Sequence, residues 1–219
     1  MHLYGFALSP FVQRALMAAR AKGHEVELRP PPGGAIHSPE FGAISPLGRI
    51  PLLALDDGRH IAESSAITTY LDEALAGPSL MPADLGDRAR VREIEAVATL
   101  EYAAGLRPVM VGVVFGRPTA AGVIEAARAQ SEKGADALDL LLDRAGRYAV
   151  GDTLTRADCI LAPCLQLARG VAERAGTGAL IDSRPRLADY LARMTEDAIA
   201  GPSIAAMAEG FARMLARAG

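Results

Sequence analysis

Hydrophobic and polar positions follow two rhythms along the chain, and the change falls near residue 76. Before it, short β-like runs alternate with helical ones. His2-Leu-Tyr-Gly-Phe6 suits a short strand, ended by Ala7-Leu-Ser-Pro10. From Phe11 to Lys22, Val12, Ala15, Leu16 and Ala19 recur at i, i+3, i+4 and i+7, the stripe of an amphipathic helix, and Gly23 stops it. Glu25-Val-Glu-Leu28 alternates as a half-buried strand does. Pro30-Pro-Pro-Gly-Gly34 is too rich in Pro and Gly for any regular element. Pro51-Leu-Leu-Ala-Leu55, Asp57-Gly58 and His60-Ile-Ala62 read as strand, tight turn and strand. Ser64 or Ser65 can then cap a helix running to about Leu75. The order βαβ, connection, ββα predicts a small mixed sheet with helices packed on it.

After residue 76 the spacing is helical almost throughout. Gly77 to Gly86 forms a linker, and Asp84 or Asp87 can cap a long helix to about Phe115. Gly116-Arg-Pro118 interrupts it, and a second long helix fits Ala120 to Arg147. A third follows Gly151-Asp-Thr-Leu-Thr155, where Thr155-Arg-Ala-Asp158 resembles a capping box. Two more fit Arg186 to Ala198 and Ser203 to Arg217. The expected division is an α/β domain over 1–76, a linker over 77–86 and an all-helical domain over 87–219.

Composition narrows the function classes. Half of the 219 residues are hydrophobic and 22% are charged, enough to build a sizeable core. Net charge is −3 and there is no Trp, so neither a basic face nor a stacking platform for nucleic acid is expected. Arg88-Ala-Arg-Val-Arg92 is the densest basic run, but Asp84, Asp87, Glu93 and Glu95 surround it, as on a solvated helix face. Met1 to Phe6 lacks the basic flank and apolar run of a signal peptide. No uninterrupted apolar stretch approaches the ~20 residues of a membrane span. A cytoplasmic protein is expected. Cys159 and Cys164, five apart, match no common metal or dithiol pattern and read as structural thiols, so no metal site is expected.

Three segments carry candidate chemistry. Ser9 stands where the first strand turns into the first helix. There the free backbone N–H groups and the positive end of the helix dipole favour an anion. A hydroxyl so placed can donate to a bound thiolate and lower the thiol pKa, or it can simply cap the helix with Pro10 at its first position. In Gly48-Arg-Ile-Pro-Leu-Leu53, a Pro heading a strand fits a cis peptide or a plain edge strand. In the first case Ile50 can pair its backbone with an extended peptide. Glu63-Ser64 opens a helix, where a carboxylate beside free N–H donors can hold an α-amino acid or merely complement the dipole. Tyr4 offers a competing hydroxyl, but it lies within the first strand and reads as a packing residue.

In order and spacing these segments resemble the glutathione transferase family across essentially the whole chain. Ser45-Pro-Leu-Gly-Arg-Ile-Pro-Leu-Leu53 is similar to the family's Asn-Pro-x-Gly-x-Val-Pro segment, with Ser45 in place of Asn. Gly151-Asp-x-x-Thr-x-Ala-Asp158 is similar to its helical-domain capping box. The resemblance implies a thioredoxin-like α/β domain followed by an all-α bundle, with glutathione as co-substrate. Ser9 would activate the sulfur, Ile50 before a cis-Pro51 would hold the cysteinyl backbone, and Glu63 and Ser64 would bind the γ-glutamyl group. Arg49 and His37 fall near positions that contact the glycyl carboxylate. Leu8, Tyr102, Leu106 and Met110, with Val113, would wall a pocket for a small hydrophobic electrophile between the domains. A homodimer is implied as well.

The activity expected from the resemblance is attack of glutathione thiolate on that electrophile. Ser9-Pro-Phe-Val12 occupies the place of a glutaredoxin Cys-Pro-x-Cys, and without either sulfur it cannot carry dithiol exchange. A non-catalytic glutathione-binding relative and a glutathione-dependent isomerase are the alternatives. The isomerases carry Ser-Ser-Cys after the first strand, where this chain has Leu8-Ser-Pro-Phe11.

Overall fold

The computed structural model describes residues 1–216. Four three-residue strands form one mixed sheet: β1 (His2–Tyr4), β2 (Glu27–Arg29), β3 (Leu52–Ala54) and β4 (His60–Ala62). Their order is β2-β1-β3-β4, with β2 parallel to β1, and β3 antiparallel to both of its neighbours. Period-two alternation sends Leu3 and Leu53 to one face. There they meet Val12, Ala15 and Ala19 of α1 (Pro10–Ala21), and Ile67 and Leu71 of a helix formed by Ser64–Ala74. The short helix α2 (Pro39–Gly42) precedes that one, which is therefore α3. Phe41 of α2 is fully buried and stands edge-on to Tyr4, ring centroids 6.4 Å apart, so Tyr4 is a packing residue.

The rest of the described chain is helical. α4 (Leu85–Val114) is followed by α5 (Ala121–Leu141), α6 (Arg156–Gly170), α7 (Ala172–Ala175), α8 (Ala179–Asp182), α9 (Pro185–Glu196) and α10 (Gly201–Ala216). Asp84 caps α4 by accepting from the Asp87 N–H at 2.9 Å. Thr155 and Asp158 close the α6 box, the Asp158 carboxylate accepting from the Thr155 N–H at 2.8 Å and its hydroxyl at 2.9 Å. Every residue from Ala157 to Ala168 is buried, which is how a helix at the centre of a bundle reads.

α1 is shared between the two parts of the molecule. Val12, Ala15 and Ala19 face the sheet, while Met17, Ala18 and Ala21 belong to the helical core with Val91, Ile94 and Leu161. Alanines at these positions let α1 lie close to α6. Whatever sits at the N-terminus of α1 is thereby held against both parts at once.

The structure departs from the sequence-based expectation in four places. β2 begins two residues later than the alternation suggested. The second long helix stops at Leu141 and not near Arg147, because residues 145–152 close into a loop. The Asp152 carboxylate accepts the Arg147 N–H at 2.9 Å, and Ala145 bridges to Gly151. The helices α2, α7 and α8, at four residues each, were too short to show a period. Finally, α4 contains an 18-residue window of mean hydropathy 1.3, which matches a membrane span by length and composition. Glu101 and Arg107 interrupt that window, and Ile94, Tyr102, Leu106 and Val109 are buried in the bundle. α4 is a core helix. Arg217, the expected end of the last helix, lies outside the described residues.

Candidate glutathione site

Strand register decides which sequence segments meet. Tyr4 of β1 pairs with Leu52 of β3, and Leu52 pairs with Ala62 of β4. The C-terminal end of β1, the N-terminal end of β3 and the C-terminal end of β4 therefore lie in one row at one end of the sheet. Ser9 comes five residues after Tyr4, Pro51 one residue before Leu52, and Glu63 one residue after Ala62. The three candidate segments are thus gathered at a single end of the sheet, although up to 55 residues separate them in the chain.

Ser9 occupies the N-cap position of α1 in extended backbone (φ −80°, ψ 124°), with Pro10 at the first helical position. Its side chain makes no cap hydrogen bond. The half-buried hydroxyl is therefore uncommitted where a capping serine would have spent it. Pro10 has no N–H, and the Gln13 N–H is taken by the Ser9 carbonyl at 3.0 Å. The Phe11 and Val12 N–H groups remain as the free donors of the first turn, which contains no acidic side chain.

The Ile50–Pro51 peptide is cis. The turn before it is tied by Ser45, whose hydroxyl accepts from the Arg49 N–H at 3.2 Å and donates to the Arg49 carbonyl at 3.3 Å. Ser45 is buried, and it leaves the neighbouring Ile50 backbone out of every hydrogen bond of the loop. Sequence reasoning noted Ser45 only as a replacement of the family's Asn and gave it no role. The signal was a small hydroxylic side chain four positions before Arg49, within reach of its backbone. Arg49 is exposed, and His37 is an exposed residue of the loop between β2 and α2. An ideal Cβ on Gly48 would stand 3.6 Å from the Ile36 carbonyl, so the two loops touch beside Arg49 and His37.

Glu63 carries the only positive φ among the described non-glycine residues (φ 66°, ψ 119°). It stands at the N-cap of α3 with an exposed side chain that makes no cap bond. Such strained backbone persists where surrounding structure imposes it, and it clusters at ligand sites. Ser64 begins α3 and is buried, its carbonyl accepting from the Thr68 hydroxyl at 2.8 Å. Two helix N-termini, those of α1 and α3, thus come to the same end of the sheet. That arrangement suits a ligand with two anionic groups and an extended peptide between them.

The expected electrophile wall needs correction. Tyr102 and Leu106 are 0% exposed and Met110 is 7% exposed. Their stripe is enclosed in the helical core, where Leu106 lines a cavity with Arg128 and Ser131 of α5. An ideal Cβ on Gly134 of α5 would lie 2.8 Å from the Tyr102 nitrogen, so the two helices approach to backbone contact there. The apolar stripe of an amphipathic helix is what packs the core, and a sequence does not say which of its neighbours that core is. The open face of α4 carries Leu100, Ala104 and Arg107, followed by Phe115 just past its end. Val113 is 38% exposed. Leu8 is half-buried beside Ser9 and packs on the helical core. A cavity of about 150 Å³ involves Leu106, but it opens between α4, α5 and α8 beside Arg128, Thr177 and Arg184, within the helical part.

Neither cysteine competes with Ser9. Burial pushes the Cys164 thiol up to about 12, and burial beside Asp158 pushes Cys159 up as well, so both stay protonated and inert. No cluster of three metal-ligating side chains occurs among the described residues.

Known proteins share this organisation. The family described as "Glutathione S-transferase, N-terminal domain" matches residues 3–79, and "Glutathione S-transferase, C-terminal domain" matches residues 121–193. The chain is 33% identical over 166 residues to a maleylacetoacetate isomerase of Rattus norvegicus, covering 74% of each protein. It is 32% identical over 166 residues to Glutathione S-transferase 1 of Dianthus caryophyllus, covering 74% of this chain and 75% of that one. Among solved structures, a maleylacetoacetate isomerase from Methylobacterium extorquens AM1 with bound malonate and GSH superposes with a TM-score of 0.76. It is 25% identical over 93% of this chain and 95% of that one.

Proposed function

The chain belongs to the glutathione S-transferase family, and from that premise we propose that it binds glutathione at the sheet end described above and activates its thiol through Ser9. The observation that carries this reading is the Ser9 hydroxyl, placed at the N-terminus of α1 yet unused as a cap. A charge-assisted hydrogen bond contributes about 1.5–3 kcal/mol. At about 1.4 kcal/mol per pKa unit, that lowers the thiol by about one to two units. The thiol proton leaves to solvent and the sulfur remains as a bound thiolate. The Ile50 backbone pairs with the cysteinyl residue, and Glu63 takes the γ-glutamyl amine. Ser64 and the first N–H groups of α3 take its carboxylate, while Arg49 and His37 meet the glycyl carboxylate.

The reaction that follows is conjugation. The thiolate attacks an electrophilic carbon of a small hydrophobic substrate, a C–S bond forms, and the leaving group departs with its bonding electrons. The enzyme contributes thiol ionisation and proximity and forms no covalent intermediate of its own. It works as a cytoplasmic homodimer of chains divided at residues 77–86.

A second reading is favoured by the identity with maleylacetoacetate isomerases. There the same thiolate adds to a conjugated cis alkene, the adduct rotates about the carbon–carbon bond that was the double bond, and elimination of the thiolate returns the trans alkene and free glutathione. Conjugation consumes glutathione and isomerisation does not. Assays with chlorodinitrobenzene and with maleylacetone, each following glutathione, separate the two. For either reading, Ser9→Ala should raise the pKa of bound glutathione, read from thiolate absorbance, and lower turnover far more than affinity. Unchanged turnover and pKa in Ser9→Ala would remove Ser9 from the chemistry.

A further inference from the structure

The segment that carries Ser9 is not held by regular structure. Between β1 and α1, residues 5–9 make three backbone hydrogen bonds besides those of the strands and helices: Gly5 N–H to the Arg29 carbonyl at 2.9 Å, Ser9 N–H to the Phe6 carbonyl within the segment at 3.0 Å, and Gln13 N–H to the Ser9 carbonyl at 3.0 Å. Two further contacts fix the remainder. Gln13, on the second turn of α1, is only 1% exposed, and its side-chain amide donates to the Ala7 carbonyl at 2.6 Å. Helical side chains lean toward the N-terminus, so Gln13 reaches back from rigid helix to the turn in front of it. From the other side comes α10. An ideal Cβ on Gly210 would stand 3.0 Å from the Leu8 Cβ and 3.4 Å from its Cα, so α10 rests directly on the residue next to Ser9.

We propose that Gln13 is a positioning residue for the Ser9 hydroxyl, with Gly210 as the second hold on the same turn. The proposal rests on the reading of Ser9 given above. Ser9 owes its usefulness to a hydroxyl that stays out of the cap of its own helix. A turn tied to neither helix nor sheet would let the hydroxyl rotate onto the free N–H groups of α1 and become an ordinary cap. The Gln13 amide holds Ala7, the glycine at 210 admits Leu8 at close range, and the hydroxyl is kept out of the cap. A buried glutamine is an expensive group to leave without partners, and here the partner of its amide is a carbonyl of this turn.

The test uses the full-length protein with glutathione and chlorodinitrobenzene, or with maleylacetone if that is the accepted substrate. Gln13→Met keeps length and packing but removes the donor. It should lower kcat about tenfold, since small misplacements of a reacting group carry penalties of that order. It should also raise the pKa of bound glutathione, and leave the glutathione Kd within about twofold. Gly210→Ala, which presses on Leu8 without touching Gln13, should shift kcat and the thiol pKa in the same direction. It carries the test alone if Gln13→Met does not fold. The double variant Ser9→Ala/Gln13→Met should turn over no more slowly than Ser9→Ala, because Gln13 acts through a hydroxyl already gone. If Gln13→Met lowers only the unfolding midpoint and leaves kcat and thiol pKa as they were, the residue is structural and the proposal fails. Multiplying losses in the double variant overturn it too, since Gln13 would then act by another route. A silent Ser9→Ala is a different outcome: it defeats the reading of Ser9 itself, and this proposal with it.

Discussion

Removal of Glu95 tests how α1 is seated. Glu95 of α4 is buried and accepts from the Arg14 guanidinium of α1, and from Arg156 Nε of α6 at 3.2 Å. The two arginines differ in what they can do without it. Arg156 has 16% of its side chain exposed and can turn to water. Arg14 has 2%, and its Nε already lacks a partner. Burial pulls the Arg14 guanidinium below its ordinary pKa and Glu95 opposes that pull, so the carboxylate is what keeps a buried cation tolerable. Stranding one charge of a buried pair costs about 3–5 kcal/mol, whereas loss of an exposed pair costs about 0–1. Glu95→Ala should therefore lose about 3–5 kcal/mol, nearly all of it through Arg14. Against a typical total of about 5–15 kcal/mol, that is a large share. Urea unfolding is the assay: the midpoint should fall while the slope stays constant. Arg14→Met/Glu95→Leu, which replaces the pair by apolar groups of similar size, should recover to within about 1.5 kcal/mol of the parent. A Glu95→Ala variant that loses under about 1 kcal/mol would refute the account, because Arg14 would then have found water or another acceptor.

Other consequences are simpler to check. Tyr102 has a fully buried hydroxyl without a partner, so Tyr102→Phe should leave stability unchanged or raised by up to about 1 kcal/mol, with KM for the electrophile unaffected; a raised KM would return Tyr102 to the substrate pocket. Burial alone would raise the Asp197 carboxyl, but the Ala200 and Ile199 N–H groups, the Tyr148 hydroxyl and Arg147 outweigh it and hold it below its ordinary value of 3.8. A depressed folded pKa stabilises above the unfolded value and is lost as pH falls through the folded one. Asp197→Asn should therefore be less stable than the parent at neutral pH, and the gap should close below about pH 4 in thermal unfolding. Cys159 and Cys164 should resist a thiol reagent in the native protein and react together on unfolding, since both are fully buried and burial raises their thiols. Fast native labelling of either would contradict that burial.

Local pattern was enough for much of this molecule. The stripe Val12, Ala15, Leu16, Ala19 predicted α1, because that period follows from backbone geometry alone, and the strand–turn–strand pattern of Pro51-Leu-Leu-Ala-Leu55, Asp57-Gly58 and His60-Ile-Ala62 predicted β3 and β4. Asp84 and the Thr155–Asp158 box announced two helix starts, since a cap is a contact between near neighbours. The broad class, a small mixed sheet with helices followed by an all-helical part, came from the same local signals in order, while the thioredoxin-like reading came from the family resemblance. The candidate segments at Ser9, Ile50-Pro51 and Glu63-Ser64 were visible as helix and strand starts, each with an ordinary structural explanation beside the chemical one.

What set those explanations apart was long-range. Only register, with Tyr4 beside Leu52 and Leu52 beside Ala62, brings the three segments to one end of the sheet. Only packing shows that the Ser9 hydroxyl is left out of the α1 cap, that Gln13 ties the turn before it, and that Gly210 touches Leu8. The same limit produced the error at Tyr102 and Met110. A helical stripe states that one face of α4 will be buried, but the sequence does not state against what. A local period is a property of one segment's backbone, while a site is an agreement among segments distant in the chain, and that agreement exists only once the core between them has formed.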